Sequence, residues 1–224
     1  MSAVEIDALG VPGVQKAHRE LTPPAQWQLW LKRGFDLVVG TLALIVAAPV
    51  LLGLMLLIWL DAPAAPIFRQ TRLGLGGRTF TMLKLRTMVP NAESMRAELE
   101  HLNEAPPLFK ITNDPRVTRI GRFLRASSLD ELPQIINVVL GDMSLVGPRP
   151  RLPQEFDLSV PLQRMRFMVK PGLAGLWQVS GRATLNFDQA LEIDLDYIRR
   201  WSFVFDLELI ARTAWVVVTR RGAY

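Results

Sequence analysis

The most prominent hydrophobic feature is an uncharged apolar segment that runs from Leu37 to Leu60. At 1.5 Å per residue, a helix over this segment would reach about 36 Å, which is enough for the hydrocarbon core of a bilayer. Trp27 and Trp30 precede the segment and Trp59 lies near its end, as is typical of side chains at a membrane interface. The segment begins too late and is too long for a secretory signal peptide. The pattern therefore predicts a membrane-embedded helix.

The topology of this helix has two interpretations. Basic residues flank both of its ends, namely Lys32, Arg33, Arg69, Arg72 and Arg78. Because basic residues accumulate on the cytoplasmic side, this distribution favours a helix whose two ends both face the cytoplasm. Pro49 removes one helical hydrogen bond in the middle of the segment and favours a kink or break there. A proline-broken re-entrant helix fits both observations, and a kinked helix that spans the bilayer is the alternative.

Shorter periodic segments follow the apolar one. Residues 66–72 and 78–86 predict two strands of a hairpin around the glycine-rich residues 74–77, with Phe80, Met82 and Lys84 on one face of the second strand. Residues 91–103 place apolar side chains at spacings of four and three, which predicts a charged amphipathic helix.

Two later segments, residues 161–170 and 207–218, are also amphipathic, and periodicity does not decide between helices on the bilayer surface and ordinary core helices. The predicted fold class is α+β, a mainly helical membrane-associated domain with a small β-hairpin and amphipathic interfacial helices. We divide the chain into a loosely ordered leader (1–27), a membrane-embedded re-entrant helix (28–61) and a domain on the cytoplasmic face (62–224).

The charge distribution narrows the classes of partner. Residues 62–224 carry 22 Lys and Arg against 16 Asp and Glu, and such an excess suits nucleic acid, anionic lipid or phosphorylated ligands. The chain has neither an aromatic-rich RNA motif nor a helix-turn-helix signature, so lipid headgroups and phosphate ligands are favoured over nucleic acid. Cysteine is absent and there are two histidines, so any metal would be a hard cation held by carboxylates, such as Mg²⁺.

The adjacent carboxylates Asp130 and Glu131 are the candidate reactive groups. As a purely structural feature, they would belong to a capping box that begins at Ser128. Pro133 disfavours that register and suits the first position of a helix that starts at Leu132–Pro133. The acids would then precede a helix N-terminus, whose free N–H groups favour an ionised carboxylate. Such a carboxylate is able to attack phosphorus.

Several cations are candidate phosphate ligands. Arg149 lies between two prolines that restrict its backbone, and guanidinium binds phosphate in a bidentate way, although a plain basic loop explains the same pattern. Lys84 and Arg86 in the second predicted strand are further candidates. Arginine recurs at every third residue from Arg116 to Arg125, and we expect the first three on a solvated or headgroup face and Arg125, five residues before Asp130, near a substrate. The glycine-rich loop that ends in residues 177–182 suits a base or sugar.

Taken together, these motifs resemble the bacterial sugar transferase family, the monotopic polyprenyl-phosphate phosphoglycosyl transferases. The resemblance covers roughly residues 28–224 in order. It is carried by Lys32-Arg33-x-Phe35-Asp36, Phe68-Arg69-Gln70-x-Arg72-x-Gly74, Phe80-x-Met82-x-Lys84-x-Arg86-Thr87-Met88, Asn113-Asp114-Pro115-Arg116, Ser128-Leu129-Asp130-Glu131-Leu132-Pro133-Gln134, Gly141-Asp142-Met143-Ser144-Leu145-Val146-Gly147-Pro148-Arg149-Pro150 and Lys170-Pro171-Gly172 to Arg182.

The resemblance implies a UDP-sugar donor, an undecaprenyl-phosphate acceptor and Mg²⁺. Asp130 would match the nucleophile that forms a covalent phosphosugar and releases UMP, and Glu131 would match the magnesium ligand. Arg125, Arg149 and Lys84 would match phosphate-contacting positions. The family's proline-broken helix strengthens the re-entrant interpretation, with Pro49 at the break, although Ala48 stands where some members have serine.

At the level of the cell, the resemblance implies the bacterial cytoplasmic membrane, a catalytic domain on its cytoplasmic face, and the start of exopolysaccharide, capsule or O-antigen assembly. It favours a short form of the family and a homodimer, and it leaves the sugar open. The alternative function is a non-catalytic membrane scaffold that binds nucleotide-sugar and recruits assembly partners.

Overall fold

The computed structural model describes residues 25–104, 109, 111–176 and 187–219, with side chains described as far as residue 215. The predicted leader and residues 177–182 of the glycine-rich loop therefore lie almost wholly outside the described residues. The helices are α1 (Gln26–Asp61), α2 (Arg119–Ser127), α3 (Gln134–Leu140), α4 (Pro161–Met165), α5 (Phe187–Arg200) and α6 (Phe203–Thr219), and the strands are β1 (Ile67–Leu73), β2 (Thr79–Leu85), β3 (Ser144–Val146) and β4 (Gly172–Ala174). Helices and two small sheets together confirm the α+β class.

The apolar segment forms one helix of 36 residues, α1, which is long and apolar enough to cross a membrane. Its buried residues are Asp36, Gly40, Leu51 and Ile58. Most of its large apolar side chains are exposed instead, among them Trp27, Trp30, Leu42, Ile45, Val46, Leu52, Leu56 and Trp59. Such an extensive apolar surface indicates contact with lipid rather than water. Pro49 lies inside the helix, so the structure does not divide the segment into two helices as the predicted break required.

The first part of α1 is fastened to the rest of the chain by charged side chains. Lys32 donates to the carbonyl oxygen of Val146 at 3.0 Å and pairs with the buried carboxylate of Asp206. Asp36 accepts a hydrogen bond from the Leu145 N–H at 3.0 Å. Arg33 donates from both terminal nitrogens to carbonyl oxygens of α3. These contacts hold the start of α1 against β3, α3 and α6.

The last part of α1 packs on the opposite end of the same domain. Leu51 and Ile58 join a buried cluster with Leu85 of β2 and Leu124 of α2. Just beyond the helix, the Arg86 guanidinium donates to the carbonyl oxygens of Ala62 and Ala64. Both ends of α1 therefore contact the domain that follows it.

The predicted hairpin is confirmed. Strands β1 and β2 pair antiparallel with Gln70 opposite Met82 and Arg72 opposite Phe80. Gly76 and Gly77 adopt φ angles of 66° and 75°, which side chains disfavour and glycine tolerates. Because side chains alternate along strands, one face of the hairpin carries Phe68, Gln70, Arg72, Phe80, Met82 and Lys84.

A second sheet, which the sequence did not predict, lies beside α3. Strands β3 and β4 pair in parallel, with Ser144 opposite Gly172 and Val146 opposite Ala174. Each strand has three residues, too short for a period-two pattern to stand out. The main core forms around this sheet from buried side chains of six segments, including Met82, Val138, Met143, Met165, Leu195, Tyr197 and Leu209.

The prediction of a helix over residues 91–103 is wrong. This segment forms successive turns that end in a short 3₁₀ helix, Glu100–Leu102. Ala92 is its one buried residue, and Leu102 is 42% exposed. Most helical stability in proteins comes from packing of an apolar face, and this segment lacks such packing.

The two amphipathic segments have different outcomes. Residues 161–170 contribute to the core through Met165, Arg166 and Phe167, which are buried, whereas Met168 is 37% exposed. Helix α6 is mixed, because Phe205 and Leu209 are buried whereas Val204, Leu207 and Trp215 are exposed. Among the apolar residues of the predicted segment whose side chains are described, Leu207, Ala211 and Ala214 are exposed and Ile210 is half-buried, so the buried side of α6 depends on other residues.

Gly121 allows the closest approach of α2 to the end of the hairpin. A Cβ atom at this position would lie 2.0 Å from the carbonyl oxygen of Thr87. We expect Gly121→Ala to lower the free energy of unfolding by about 1–3 kcal/mol, because the backbone of Thr87 or α2 must move. Thermal unfolding in detergent micelles measures this loss. Gly34→Ala is the control, since nothing lies within 4 Å of its added Cβ, and an equal effect of the two substitutions would contradict the argument.

Candidate active site

The carboxylate pair lies in a tight turn between α2 and α3. Helix α2 ends at Ser127, and Ser128 adopts a left-handed conformation with φ 58°, which costs a residue other than glycine about 1 kcal/mol or more. A 3₁₀ turn, Leu129–Glu131, follows directly, and α3 begins at Gln134 after Pro133. Asp130 and Glu131 therefore precede a helix N-terminus, as predicted, and the Ser128 side chain forms no capping bond.

Two predicted cations contact this pair. Lys84 Nζ lies 3.0 Å from Glu131 Oε1 and 3.9 Å from Asp130 Oδ2. Arg149 Nη2 lies 3.7 Å from the same Glu131 oxygen. The Asp130 side chain is 13% exposed and that of Glu131 24%, so these ion pairs are only partly screened by water. The structure thus brings together four of the residues predicted for the site.

Arg125 approaches from α2. Its Nε donates to the hydroxyl of Thr87 at 3.0 Å, and its charge acts on Asp130. Arg119 and Arg122 are exposed, as expected for a solvated face. Arg116 is not on that face: it is buried, and it pairs with Asp114 at 2.6 Å. The three-residue spacing failed there because α2 begins only at Arg119.

The prediction that Arg86 binds phosphate needs correction. Strand alternation would place Arg86 on the face of Lys84, but β2 ends at Leu85. The Arg86 guanidinium is buried and donates to carbonyl oxygens at the end of α1. Cations suit this position because the carbonyl groups of the last helical turn lack partners within the helix.

Burial raises the pKa of Asp130 above the ordinary value for aspartate. The charge of Lys84 opposes this rise, Glu131 adds to it, and Arg125 opposes it. The argument from free N–H groups at a helix start predicted the opposite direction. It failed because removal of the carboxylate from water dominates its pKa at this depth.

A pocket opens beside Glu131. Its lining residues are Arg72, Met82, Lys84, Glu131, Gln134, Arg149, Pro150, Gly172 and Leu173. Three of these carry positive charge and one carries negative charge, so the pocket suits an anion. Met82, Pro150 and Leu173 add apolar surface to this charged lining, as in sites for small organic ligands.

Arg72 and Gln134 are site residues that the sequence did not reveal. In the sequence, Arg72 appeared as one of the basic residues flanking the membrane segment and within the motif Phe68-Arg69-Gln70-x-Arg72-x-Gly74, with no role of its own. The strand register could have indicated that Arg72 belongs to the site, because Arg72 lies two residues after Gln70 on the hairpin face that carries Lys84. Gln134 is 3% exposed and lines the pocket from the first position of α3, where sequence pattern alone indicates only a helix start.

The loop that carries Arg149 is fixed by contacts with Arg166 and with the backbone of Lys170. Arg166 donates to the carbonyl oxygen of Arg149 at 2.8 Å and pairs with the buried carboxylate of Asp194 at 2.6 Å. A Cβ atom on Gly147 would lie 2.4 Å from the carbonyl oxygen of Lys170. The prolines predicted to restrict Arg149 thus act together with a close backbone contact and a buried ion pair.

Among the described residues, no three His, Cys, Asp or Glu side chains cluster as a metal site. Asp130 and Glu131 are nevertheless a suitable partial donor set for Mg²⁺, which is often bound through one or two carboxylates together with substrate phosphates and water. The residues present therefore fit a magnesium ion that a phosphorylated ligand completes.

Comparison with known proteins agrees with this site. Residues 27–220 match the family model described as bacterial sugar transferase. The chain belongs to the bacterial sugar transferase family. This match includes α1, the hairpin, the carboxylate turn and the Arg149 loop.

Three relatives illustrate the range of the family. The undecaprenyl-phosphate galactose phosphotransferase of Salmonella typhimurium is 41% identical, over 87% of this chain and 42% of its own. The UDP-glucose:undecaprenyl-phosphate glucose-1-phosphate transferase of Caulobacter vibrioides is 42% identical, over 86% and 72%. The exopolysaccharide production protein ExoY of Sinorhizobium fredii is 37% identical, over 86% and 88%. The chain spans about two fifths of the length of several curated relatives, the Salmonella typhimurium protein among them.

The raised pKa of Asp130 makes a prediction for this family member. Where the carboxylate is charged, burying that charge destabilises the folded state. As pH falls through the raised pKa, the folded state takes up the proton first and gains stability. Asp130→Asn should therefore raise the unfolding temperature at neutral pH, by about 2–4 °C for each kcal/mol relieved, and the gain should shrink toward acidic pH.

Thermal unfolding between neutral and acidic pH measures this difference. Asp196→Asn is a matched control, because Asp196 is 39% exposed and pairs on the surface with Arg200. A gain for Asp130→Asn that does not change with pH would contradict the proposed effect of burial.

Proposed function

We propose that this protein transfers a sugar phosphate from a UDP-sugar to undecaprenyl phosphate, with UMP as the leaving product and a covalent aspartyl-phosphosugar as the intermediate. The observation that carries the proposal is the placement of Asp130, a largely buried carboxylate, beside Lys84 and next to Glu131, both of which line a cationic pocket. The names of the relatives support the substrates, since two of them are sugar-phosphate transferases that act on undecaprenyl phosphate. A first sugar placed on a lipid would start the assembly of an exopolysaccharide, capsule or O-antigen.

In the first step, an oxygen of Asp130 attacks the phosphorus that carries the sugar. A bond forms between that oxygen and phosphorus, and the bond from phosphorus to the UMP oxygen breaks. In the second step, an oxygen of the lipid phosphate attacks the same phosphorus and releases Asp130. An anionic nucleophile must approach an anionic substrate, so Lys84, Arg125 and Arg149 are expected to offset the repulsion.

Glu131 is the residue we expect to hold Mg²⁺, with Asp130 beside it. The ion would supply positive charge to the phosphate oxygens when bound. Lys84 Nζ and Arg149 Nη2 lie 3.0 and 3.7 Å from Glu131 Oε1, so both cations would be near a phosphate bound at this carboxylate.

We also propose that α1 is re-entrant, with both ends on the cytoplasmic face of the bacterial inner membrane. Support comes from the contacts at each end: Lys32 reaches Asp206 near the start of α1, and Arg86 reaches Ala62 just after its end. A straight helix across the bilayer would place those two ends on opposite sides, beyond the reach of one domain. A bend within the continuous helix at Pro49 would return the chain to the same side.

The first test of the function is covalent. Purified protein incubated with a UDP-sugar and Mg²⁺, without lipid acceptor, should gain the mass of one phosphosugar and release UMP. Asp130→Asn should abolish the adduct, because an amide does not serve as the attacking oxyanion, and lower turnover by about 10³-fold or more. Intact-protein mass spectrometry and UMP release measure the two outcomes. A panel of UDP-sugars in the same assay identifies the sugar.

Full turnover by Asp130→Asn would refute the covalent mechanism. Binding of UDP-sugar without UMP release by the wild type would instead favour the scaffold function. Asp196→Asn again serves as the control, since its carboxylate lies on the surface of α5.

The topology has a separate test. The chain has no cysteine, so Gln26→Cys and Ala65→Cys each provide a single reactive thiol, at exposed positions near either end of α1. A membrane-impermeant maleimide should label both from the cytoplasmic side of oriented membrane vesicles and neither from the outside. Labelling of the two thiols from opposite sides would establish a spanning helix.

A further inference from the structure

Arg72 is a cation of the pocket that none of the steps above uses. It lies on β1, on the hairpin face that carries Lys84, and it forms part of the pocket wall. The next residue, Leu73, donates its N–H to the carbonyl oxygen of Arg151 at 3.0 Å. This bridge ties the strand of Arg72 to the loop of Arg149, so the two guanidinium groups face one pocket.

The partners of Arg72 are neutral oxygens. Its Nη2 donates to Gln70 Oε1 at 2.5 Å and its Nη1 donates to the Pro150 carbonyl oxygen at 3.3 Å. Its Nε is buried and has no hydrogen-bond partner. Within the described part of the chain, no carboxylate comes within 4.0 Å of Arg72. A guanidinium has five N–H donors, and since Nε is buried, the two that remain on the terminal nitrogens are the ones available to a ligand.

Arg72 remains charged in spite of its surroundings. Burial lowers the pKa of Arg72 to about 10, Glu155 opposes this change, and the charges of Arg149 and Arg151 add to it. A pKa near this value still leaves the side chain protonated at neutral pH. A buried positive charge without a carboxylate partner costs free energy unless an anion binds beside it.

We propose that Arg72 binds the phosphate of the departing nucleotide and stabilises the charge that forms on it. This inference rests on the proposed function. Lys84 contacts both catalytic carboxylates and Arg149 contacts Glu131, whereas Arg72 contacts neither, so Arg72 is suited to the phosphate that is not attacked. When the bond from the attacked phosphorus to the bridging oxygen breaks, the electron pair stays on that oxygen.

The phosphate of UMP thereby gains one negative charge during the step. A cation at this phosphate is worth more in the transition state than in the bound substrate, and it therefore accelerates the reaction. Gln70 and Pro150 each hold one terminal nitrogen, which fixes the plane of the guanidinium before the ligand arrives. Arginine is suited to such a role because its planar fork binds two phosphate oxygens at once.

Arg72→Gln in the full-length protein tests the proposal, with two readouts. The rate of phosphosugar adduct formation and the affinity for UMP should each fall by about tenfold to a hundredfold, as expected for the loss of a charge-assisted hydrogen bond. The affinity for uridine, which has no phosphate, should not change. Arg72→Lys keeps the charge without the fork and should lie between Arg72→Gln and the wild type in both UMP affinity and rate.

Arg69→Gln is the matched control, because Arg69 lies on the same strand, exposed, on the opposite face of the hairpin. It should match the wild type in rate and in affinity for UMP. Isothermal titration calorimetry measures the affinities, and thermal unfolding identifies any variant that does not fold. If Arg72→Gln does not fold, the results for Arg72→Lys test the proposal.

Two results would overturn the inference. Equal losses of uridine and UMP affinity would show that Arg72 only supports the Pro150 loop. Unchanged UMP affinity and rate would show that it contacts no phosphate. Failure of the proposed function is distinguishable from both, since the wild type would then form no adduct with any UDP-sugar.

Discussion

The side-chain amide of Asn137 fixes the distance between the two elements that build the candidate site. Asn137 lies in α3 and is 1% exposed. Its Oδ1 accepts from the Leu83 N–H at 3.0 Å and its Nδ2 donates to the Thr81 carbonyl oxygen at 2.8 Å, so it binds the free edge of β2 as another strand would. A buried amide satisfied on both sides tolerates little sliding of helix against strand. Lys84 and the carboxylate turn before α3 are held in register by this contact.

The contact of Asn137 with β2 also fixes the positions of the charged groups in the site relative to one another. Asp130 pays a desolvation cost that raises its pKa, and the nearby cations partly offset that cost. Lys84 and Arg149 form ion pairs with Glu131, whereas Arg72 contacts neutral oxygens. The site therefore holds more positive charge than its own carboxylates neutralise. A pocket of this kind favours ligands that bring several negative charges at once.

Prediction from sequence worked where a residue type leaves few alternatives. The long uncharged segment implied α1, alternation with glycines implied the hairpin, and Pro133 located the acids ahead of α3. It failed where the outcome depends on distant contacts. Arg86 points away from the site because β2 ends at Leu85. Residues 91–103 form no α-helix because their apolar side chains have no partner to pack against among the described residues. The strands beside α3 are too short to show a periodic pattern.

The site residues likewise include some that the sequence identified and some that it did not. Asp130, Glu131 and Arg149 were candidates because of their neighbours: Pro133 places the acids before a helix, and two prolines flank Arg149. Lys84 was a candidate as a cation of the second predicted strand. Arg72 was not, because nothing local separates a strand arginine that faces a pocket from one that faces solvent. Only the register of β1 against β2, together with the bridge from Leu73 to Arg151, makes that distinction. The direction of the pKa shift at Asp130 likewise depends on burial by residues far away in sequence.

The polar side chains of α1 make this helix more than an anchor. Asp206 is 1% exposed, and it receives Lys32 together with the hydroxyl of Tyr197 and the indole N–H of Trp201. Removal of α1 would leave that carboxylate without its cation and would uncover the Leu145 N–H that Asp36 accepts from. The start of the membrane helix is thus an integral part of the domain's interior. A water-soluble version would require redesign of that interior, and deletion of the segment would not suffice.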